Sequence, residues 1–259
     1  MKIAIAGAMG RMGQTLIEEV RNDSRFVLVA VSESAANQNS LVKLFTQKTH
    51  DVLITDNPTQ LVENANCVID FTTPVATLGV AEAIATKGGI HIIGTTGFSD
   101  SEQKKLESFA SKARIVQSGN FSPGVVLLAS LVEKAAAILD DHYDIEIFEM
   151  HHKHKKDAPS GTALMIGRAA AKGRNVDLES KKSIDRNEER KRGDIGFSVA
   201  RGGDVVGIHD VMFAGSGETL TLSHQGFDRS IYANGALAAA LWAKDKKPGL
   251  YSMKDVLGL

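Results

Sequence analysis

The sequence predicts an α/β protein, in which a doubly wound parallel sheet is joined to a second, α+β domain containing a mixed or antiparallel sheet. Three observations carry this expectation. From Lys2 to about Gln117, short apolar runs alternate with longer helix-like stretches, the rhythm of βαβ units. Beyond Leu139 the pattern changes to polar and apolar alternation and to runs separated by glycines, as in half-exposed strands. The chain has 259 residues, 43% hydrophobic and 24% charged, which is enough for two cores and unlike a disordered segment.

Taken in order, strands are expected at 2–6, 26–32, 52–55, 67–71, 90–93 and 114–117, each nearly continuous in apolar residues as a strand buried on both faces should be. Helices are expected from Arg11, near Pro58, at Pro74, where proline suits a first turn, and near Ser99, where Ser99 and Glu102 have capping-box spacing. A helix-like stretch at 125–139 precedes an alternating strand at 144–149. Strands at 195–201, 204–213 and 218–223 are separated by Gly202-Gly203 and Gly215-Ser216-Gly217, so two hairpins are the simplest reading. The charged stretch 172–193 reads as a surface loop, and 229–247 as an alanine-rich helix that carries Trp242 back to the first domain.

Composition narrows the function classes. The single cysteine, Cys67, allows no intrachain disulfide and fits a reducing, cytoplasmic setting. No apolar run approaches the roughly 20 residues of a membrane span, and the start of the chain, broken by Gly7, Gly10 and Arg11, lacks a signal-peptide core. The net charge is −1, so anion binding must rest on local clustering. Residues 153–192 supply it, with twelve Lys and Arg against six Asp and Glu. Nucleic acid is the obvious partner for such a stretch, but no aromatic residue lies between Phe148 and Phe197 to stack on bases.

Gly7, Gly10 and Gly13 follow the first strand and open the first helix, where backbone amides hold a pyrophosphate in Rossmann-like folds. The spacing fits G-x-G-x-x-G only with Ala8 at the first glycine, and a glycine-rich packing turn is the plain alternative. Glu33, 20 residues after Gly13 at the end of the second strand, is placed to accept the ribose hydroxyls of NAD. It is followed by Ser34 instead of a cation, so NADH is expected to serve at least as well as NADPH, although Arg11 offers one positive charge. Gly94-Thr95-Thr96-Gly97 and Asp70-Phe71-Thr72-Thr73 lie at strand exits, where they could line the nicotinamide or be ordinary turns.

His151-His152-Lys153-His154-Lys155-Lys156-Asp157 admits two chemistries. His152 and His154 would share a strand face as metal ligands, but three lysines repel a cation and Asp157 is the only acid nearby. Alternatively the lysines attract a carboxylate substrate and an imidazole donates a proton. His151 and Lys155, four apart, fall on one side in either a helix or a strand. Ser160, Gly161 and Thr162 then open a helix and offer amides and hydroxyls to a carboxylate, or simply cap it.

The run from Glu146 through Asp157-Ala158-Pro159-Ser160-Gly161-Thr162-Ala163 resembles the signature of the 4-hydroxy-tetrahydrodipicolinate reductase (dihydrodipicolinate reductase) family. The likeness extends to Gly7-Ala8-Met9-Gly10-Arg11-Met12-Gly13, Asp70-Phe71-Thr72, Gly94-Thr95-Thr96-Gly97, Asn120-Phe121-Ser122 and Arg201-Gly202-Gly203-Asp204. It implies an NAD(P)H-dependent oxidoreductase of bacterial lysine and diaminopimelate synthesis, with His151 the proton donor and Lys155 its catalytic partner. It implies that His152, Lys155, Ser160, Gly161 and Thr162 bind the dicarboxylate substrate. Gly7, Gly10, Arg11, Met12, Gly13, Glu33, Phe71, Gly94, Thr95, Thr96, Asn120 and Phe121 would bind NADH or NADPH, and no metal is expected. Residues 1–120 with 229–259 would form the dinucleotide domain, and 121–228 a substrate and oligomerisation domain of a homotetramer. The departure is Ser34, where some members have Arg after the acid. Two rivals remain: a cysteine-dependent semialdehyde dehydrogenase using Cys67, and a non-enzymatic NADH-binding regulator.

Overall fold

Short β-branched and aliphatic runs become strands wherever helices can cover both of their faces. The structure, a computed structural model that describes residues 1–37, 41, 52–184 and 187–259, separates into two units. The first comprises Met1–Ser122 and Ser230–Gly258, the second Pro123–Arg229 with Leu259.

The first unit holds a seven-stranded parallel sheet. Its strands are β1 (Lys2–Ala6), β2 (Val27–Ser32), β3 (Leu53–Thr55), β4 (Cys67–Asp70), β5 (Ile90–Ile93), β6 (Arg114–Gln117) and β12 (Gly249–Tyr251), in the order β12-β6-β5-β4-β1-β2-β3. β4 and β5 are buried at every position, as central parallel strands are. Alternation sorts β1 between two layers. Ala4 and Ala6 share a core with helices α2 (Pro58–Glu63), α3 (Pro74–Lys87) and α4 (Asp100–Phe109), through Leu61, Val80, Ile84 and Leu106. Ile3 and Ile5 are fully buried on the opposite side. There α1 (Arg11–Asn22) packs on β1 and on α8 (Ser230–Ala243), which the later part of the chain returns to β5 and β6. The Ser99–Glu102 capping box forms as expected. The last strand, β12, and helix α9 (Met253–Leu257) carry too few residues to show periodicity in sequence.

The second unit is built on β7 (Asp144–His151), β8 (Lys182–Ile184), β9 (Ile195–Arg201), β10 (Gly207–Ala214) and β11 (Thr219–Gly226), in the order β11-β10-β7-β9-β8. Helices α5 (Pro123–Ile138) and α6 (Gly161–Gly173) pack together over the buried side of the sheet, where Ile145, Ile147, Ile166, Val211 and Phe213 meet.

Two expectations are corrected here. Only β10 and β11 form a hairpin. β9 and β10 do not pair, because β7 lies between them, parallel to β9 and antiparallel to β10. The alternating burial of β7 gives it a core face that both neighbours extend, and the Gly202-Gly203 turn bonds to the end of β7 instead. Gly202 N donates to His151 O at 3.0 Å, and Gly203 O accepts from Lys153 N at 3.1 Å. The stretch 172–193 is also more than a loop. It contains the end of α6, a short helix α7 (Leu178–Lys181) and the edge strand β8, which pairs with β9. Its cations find local partners: Arg190 with Asp144 and Glu146, Arg192 with Asp141, Lys172 with Glu133 and Lys182 with Glu179. Among the described residues no helix is long and apolar enough to cross a membrane.

Candidate active site

In the first unit the chain leaves β1 through a turn at Gly7, whose φ of +74° belongs to the left-handed region that glycine alone enters freely. The amides of Gly7 and Ala8 both donate to Ser32 O at 3.0 Å, tying the turn to the end of β2. Gly10 caps α1 with no side chain, and no acid stands in the first helical turn. A Cβ at Gly13 would lie 2.1 Å from Gly7 O, so only glycine lets this helix begin so close to the turn. That arrangement fits a pyrophosphate: the first-turn amides of α1, at Arg11, Met12 and Gly13, have no carbonyl within the helix to bond, and the backbone makes an approach that a side chain would block. Glu33 adds a link that spacing does not reveal. Its Oε2 accepts from Met9 N and its Oε1 from Ser34 N, each at 2.9 Å. Burial works to raise its pKa, yet those backbone bonds hold the carboxyl below its usual range, so a full negative charge stands beside the glycine loop. Arg11 is exposed and Met12 half-buried on the first helical turn.

The exits of β4 and β5 share one set of contacts. A Cβ at Gly94 would fall 2.1 Å from the Phe71 ring, so Gly94 is the floor on which Phe71 lies. Phe71 meets Phe121 edge to face, with centroids 5.6 Å apart. Asn120 shapes the turn that carries Phe121, with its Oδ1 accepting from Ser122 N at 2.8 Å. Thr95 is buried and bonded to Thr72 N and Thr77 Oγ1, whereas Thr96 is exposed. Asp70 and Thr72, from the strand exit that the sequence offered as a nicotinamide lining, form the rest of this network with Thr77 and His91, which it did not single out.

In the second unit the centre is Glu149, a fully buried carboxylate on β7. Its Oε2 accepts from His151 Nδ1 at 2.5 Å and Arg201 Nη1 at 2.9 Å, while Oε1 accepts from Arg201 Nη2 and Ser160 N, each at 2.9 Å. Burial opposes ionisation, but these donors outweigh it and lower the carboxyl to about 2. An ionised Glu149 can only accept, so His151 Nδ1 carries a hydrogen and Nε2 is left to face outward. A Cβ at Gly207 would stand 3.1 Å from that Nε2, which makes Gly207 the gap beside it. His209 meets His151 edge to face, centroids 5.1 Å apart, and its Nε2 lies 3.4 Å from Ser160 Oγ. Burial and then the neighbouring His151 depress the His209 pKa to about 3, so it stays neutral near pH 7.

The residues expected to bind substrate lie close in sequence to this centre. After His151 the chain runs in turns rather than helix or strand, so neither the four-residue spacing of His151 and Lys155 nor a shared strand face for His152 and His154 sets their placement. Lys155 Nζ pairs with Asp157 Oδ2 at 2.8 Å. Ser160 is the N-cap of α6, with its hydroxyl on Ala163 N and its amide on Glu149. Those two bonds fix the start of α6 at Gly161 and Thr162. His152 Nε2 lies 3.4 Å from Arg229 Nη2.

Among the described residues the one cluster able to hold a metal ion is the exposed Asp140, Asp141 and His142, and it includes neither His152 nor His154. Cys67 is buried, and burial pushes its thiol pKa upward, the opposite of what a nucleophile requires.

Comparison with known proteins covers the whole chain. Residues 1–121 match the family model described as dihydrodipicolinate reductase, N-terminus, and residues 124–257 the one described as its C-terminus. The 4-hydroxy-tetrahydrodipicolinate reductase of Dinoroseobacter shibae is 51% identical, over 99% of this chain and 98% of its own. That of Bartonella quintana is 49% identical, over 100% and 98%. A dipicolinate-bound dihydrodipicolinate reductase from Paenisporosarcina sp. TG-14 superposes with a TM-score of 0.80 at 27% identity, covering 97% of each chain.

Proposed function

The chain belongs to the dihydrodipicolinate reductase family, and from that membership we propose that it reduces 4-hydroxy-tetrahydrodipicolinate to tetrahydrodipicolinate in lysine and diaminopimelate synthesis. It is an NAD(P)H-dependent oxidoreductase. Dinucleotide binding is assigned to residues 1–120 with 229–259, and substrate binding and oligomerisation to 121–228. The observation that carries the chemistry is Glu149, whose buried charge orients His151 and leaves one imidazole nitrogen to work.

When bound, the reduced nicotinamide supplies hydride. Gly7, Gly10, Arg11, Met12 and Gly13 would hold its pyrophosphate, Glu33 its adenosine ribose, and Phe71, Gly94, Thr95, Thr96, Asn120 and Phe121 its nicotinamide end. His151, protonated against Glu149, gives its Nε2 proton to the anion that develops on the substrate and ends as the Nδ1–H tautomer. Lys155 stabilises negative charge there, exchanging Asp157 for a substrate carboxylate. His152, Ser160, Gly161 and Thr162 hold the carboxylates, Ser160 chiefly by setting the start of α6. A neutral His209 spares the site a second cation beside His151.

Oxidation of NADH or NADPH that depends on added substrate tests the reaction, and a purified chain with no such oxidation would falsify it. For the cofactor, Glu33 repels a 2′-phosphate and Ser34 offers it no cation, so NADH binds at least as tightly as NADPH. A tenfold preference for NADPH would overturn that assignment. The homotetramer is supported by the sheet of the second unit, where Leu220 and Val199 are partly exposed and the outward residues of β7 are half-buried in the single chain. The cytoplasm is the proposed compartment, on the ground of the lone unpaired cysteine.

A further inference from the structure

Asp70, the last residue of β4, and His91 on β5 form a pair buried at 0% exposure within the parallel sheet, with His91 Nε2 3.3 Å from Asp70 Oδ2. Their strand neighbours Val68, Ile69, Ile92 and Ile93 are buried aliphatics. Buried ion pairs are weak contributors to stability, and well-packed apolar residues of the same volume often serve as well or better. Folding therefore gives little reason for a carboxylate here.

Its other oxygen supplies one. Asp70 Oδ1 accepts from Thr72 N at 3.0 Å, Thr72 Oγ1 at 2.6 Å and Thr95 Oγ1 at 3.3 Å. Thr95 Oγ1 in turn accepts from Thr72 N at 3.0 Å and from Thr77 Oγ1, at the start of α3, at 2.9 Å. One carboxylate thus gathers the exits of β4 and β5. The network also reaches the glycine loop, since a Cβ at Gly7 would fall 2.7 Å from Thr72 Cγ2. An ionised Asp70 can only accept, so His91 Nε2 carries the hydrogen between them. His91 Nδ1 has no hydrogen-bond partner among the described residues, which leaves the imidazole held through Asp70 alone.

We propose that Asp70, backed by His91, is a positioning residue for the dinucleotide site: it locks residues 71–73 and 94–97 together and, through Thr72, seats the Gly7 turn for the pyrophosphate. The proposal rests on the dinucleotide reading of this unit and adds to it the residues that set the geometry. Asp70 is fully buried, so it acts through the loops it holds.

The test compares Asp70→Asn, Thr72→Val and Thr72→Ser by NADH fluorescence titration, steady-state kinetics and dipicolinate binding. Losing a hydrogen bond to a charged group weakens what depends on it by about tenfold or more. Asp70→Asn and Thr72→Val are therefore expected to raise the NADH Kd and KM by about that factor, with kcat and dipicolinate affinity within about twofold of wild type. Thr72→Ser, which keeps the hydroxyl on Asp70 but loses the methyl beside Gly7, is expected to bind NADH more tightly than Thr72→Val and less tightly than wild type. If Asp70→Asn does not fold, the Val and Ser variants at Thr72 decide the matter. The proposal is overturned if Thr72→Val binds NADH as wild type does, or if NADH and dipicolinate affinity fall together, the mark of general loosening. A wild-type chain that binds NADH but does not turn it over counts against the proposed reaction and leaves this inference standing.

Discussion

At the scale of single residues, the chemistry gathers on a few side chains whose neighbours fix their state. His151 has one nitrogen bound to a buried carboxylate and the other beside a glycine, so in the proposed mechanism replacing it removes a positioned acid. His151→Gln is expected to lower kcat by about 10²–10⁴ while leaving NADH affinity unchanged, as stopped-flow and titration measurements would show; wild-type turnover in that variant would contradict the role. Glu149 makes a thermodynamic prediction as well. Its carboxyl falls from an ordinary 4.5 to about 2 in the folded chain. A depressed carboxyl pKa stabilises the fold above the unfolded value, and this contribution is lost as pH falls from 4.5 toward 2. Thermal unfolding followed through that window should show a steeper loss in wild type than in Glu149→Gln. Lys155→Ala should raise the substrate KM and lower kcat together, because the proposed mechanism uses its charge in both binding and the transition state; an unchanged pair of constants would reject it.

At the scale of elements, glycines set which segments can touch. Gly13→Ala drives a methyl into Gly7 O, and the β1 turn or the start of α1 must move. Forced overpacking of this kind costs about 1–3 kcal/mol, so calorimetry should record a lower Tm and titration a loss of NADH binding greater than that of dipicolinate. Gly94→Ala meets the Phe71 ring, a side chain rather than backbone, and should disturb NADH binding with a smaller change in Tm. The legibility of elements follows from where their information lies. The six strands of the parallel sheet up to Gln117 are apolar runs bounded by turn residues, and each was readable locally. The pairing of β9 and β10 was not. Gly202-Gly203 is a sound hairpin signal, but β7 brings Ile145 and Ile147 to the core from about fifty residues earlier and takes the place between them. Charge misled over 172–193, since Lys172, Arg190 and Arg192 are partners of acids on α5, on β7 and just before β7, and Lys182 of Glu179 on α7.

At the scale of the whole molecule, both halves of the family pattern lie in one chain: a parallel-sheet unit with the glycine loop and a mixed-sheet unit with Glu149 and His151. If the outward face of the second sheet is the contact between chains, sedimentation should give a tetramer, and Leu220→Lys should shift it toward smaller species while single chains stay folded. An unchanged sedimentation coefficient in that variant would move the interface elsewhere.

By itself the sequence determined the fold class, the glycine loop with its acid at Glu33, and the run from His151 to Thr162. All of these are local patterns in which residue type and spacing carry the physics. Only the tertiary structure decided that Glu149, Arg201 and His209 surround His151, that Ser160 spends its amide on Glu149, and that Asp70 and His91 join the exits of β4 and β5. Arg201 and His209 reach Glu149 and His151 from more than fifty residues away, and His91 reaches Asp70 from 21; a contact made by sheet pairing leaves no spacing along the chain from which to read it.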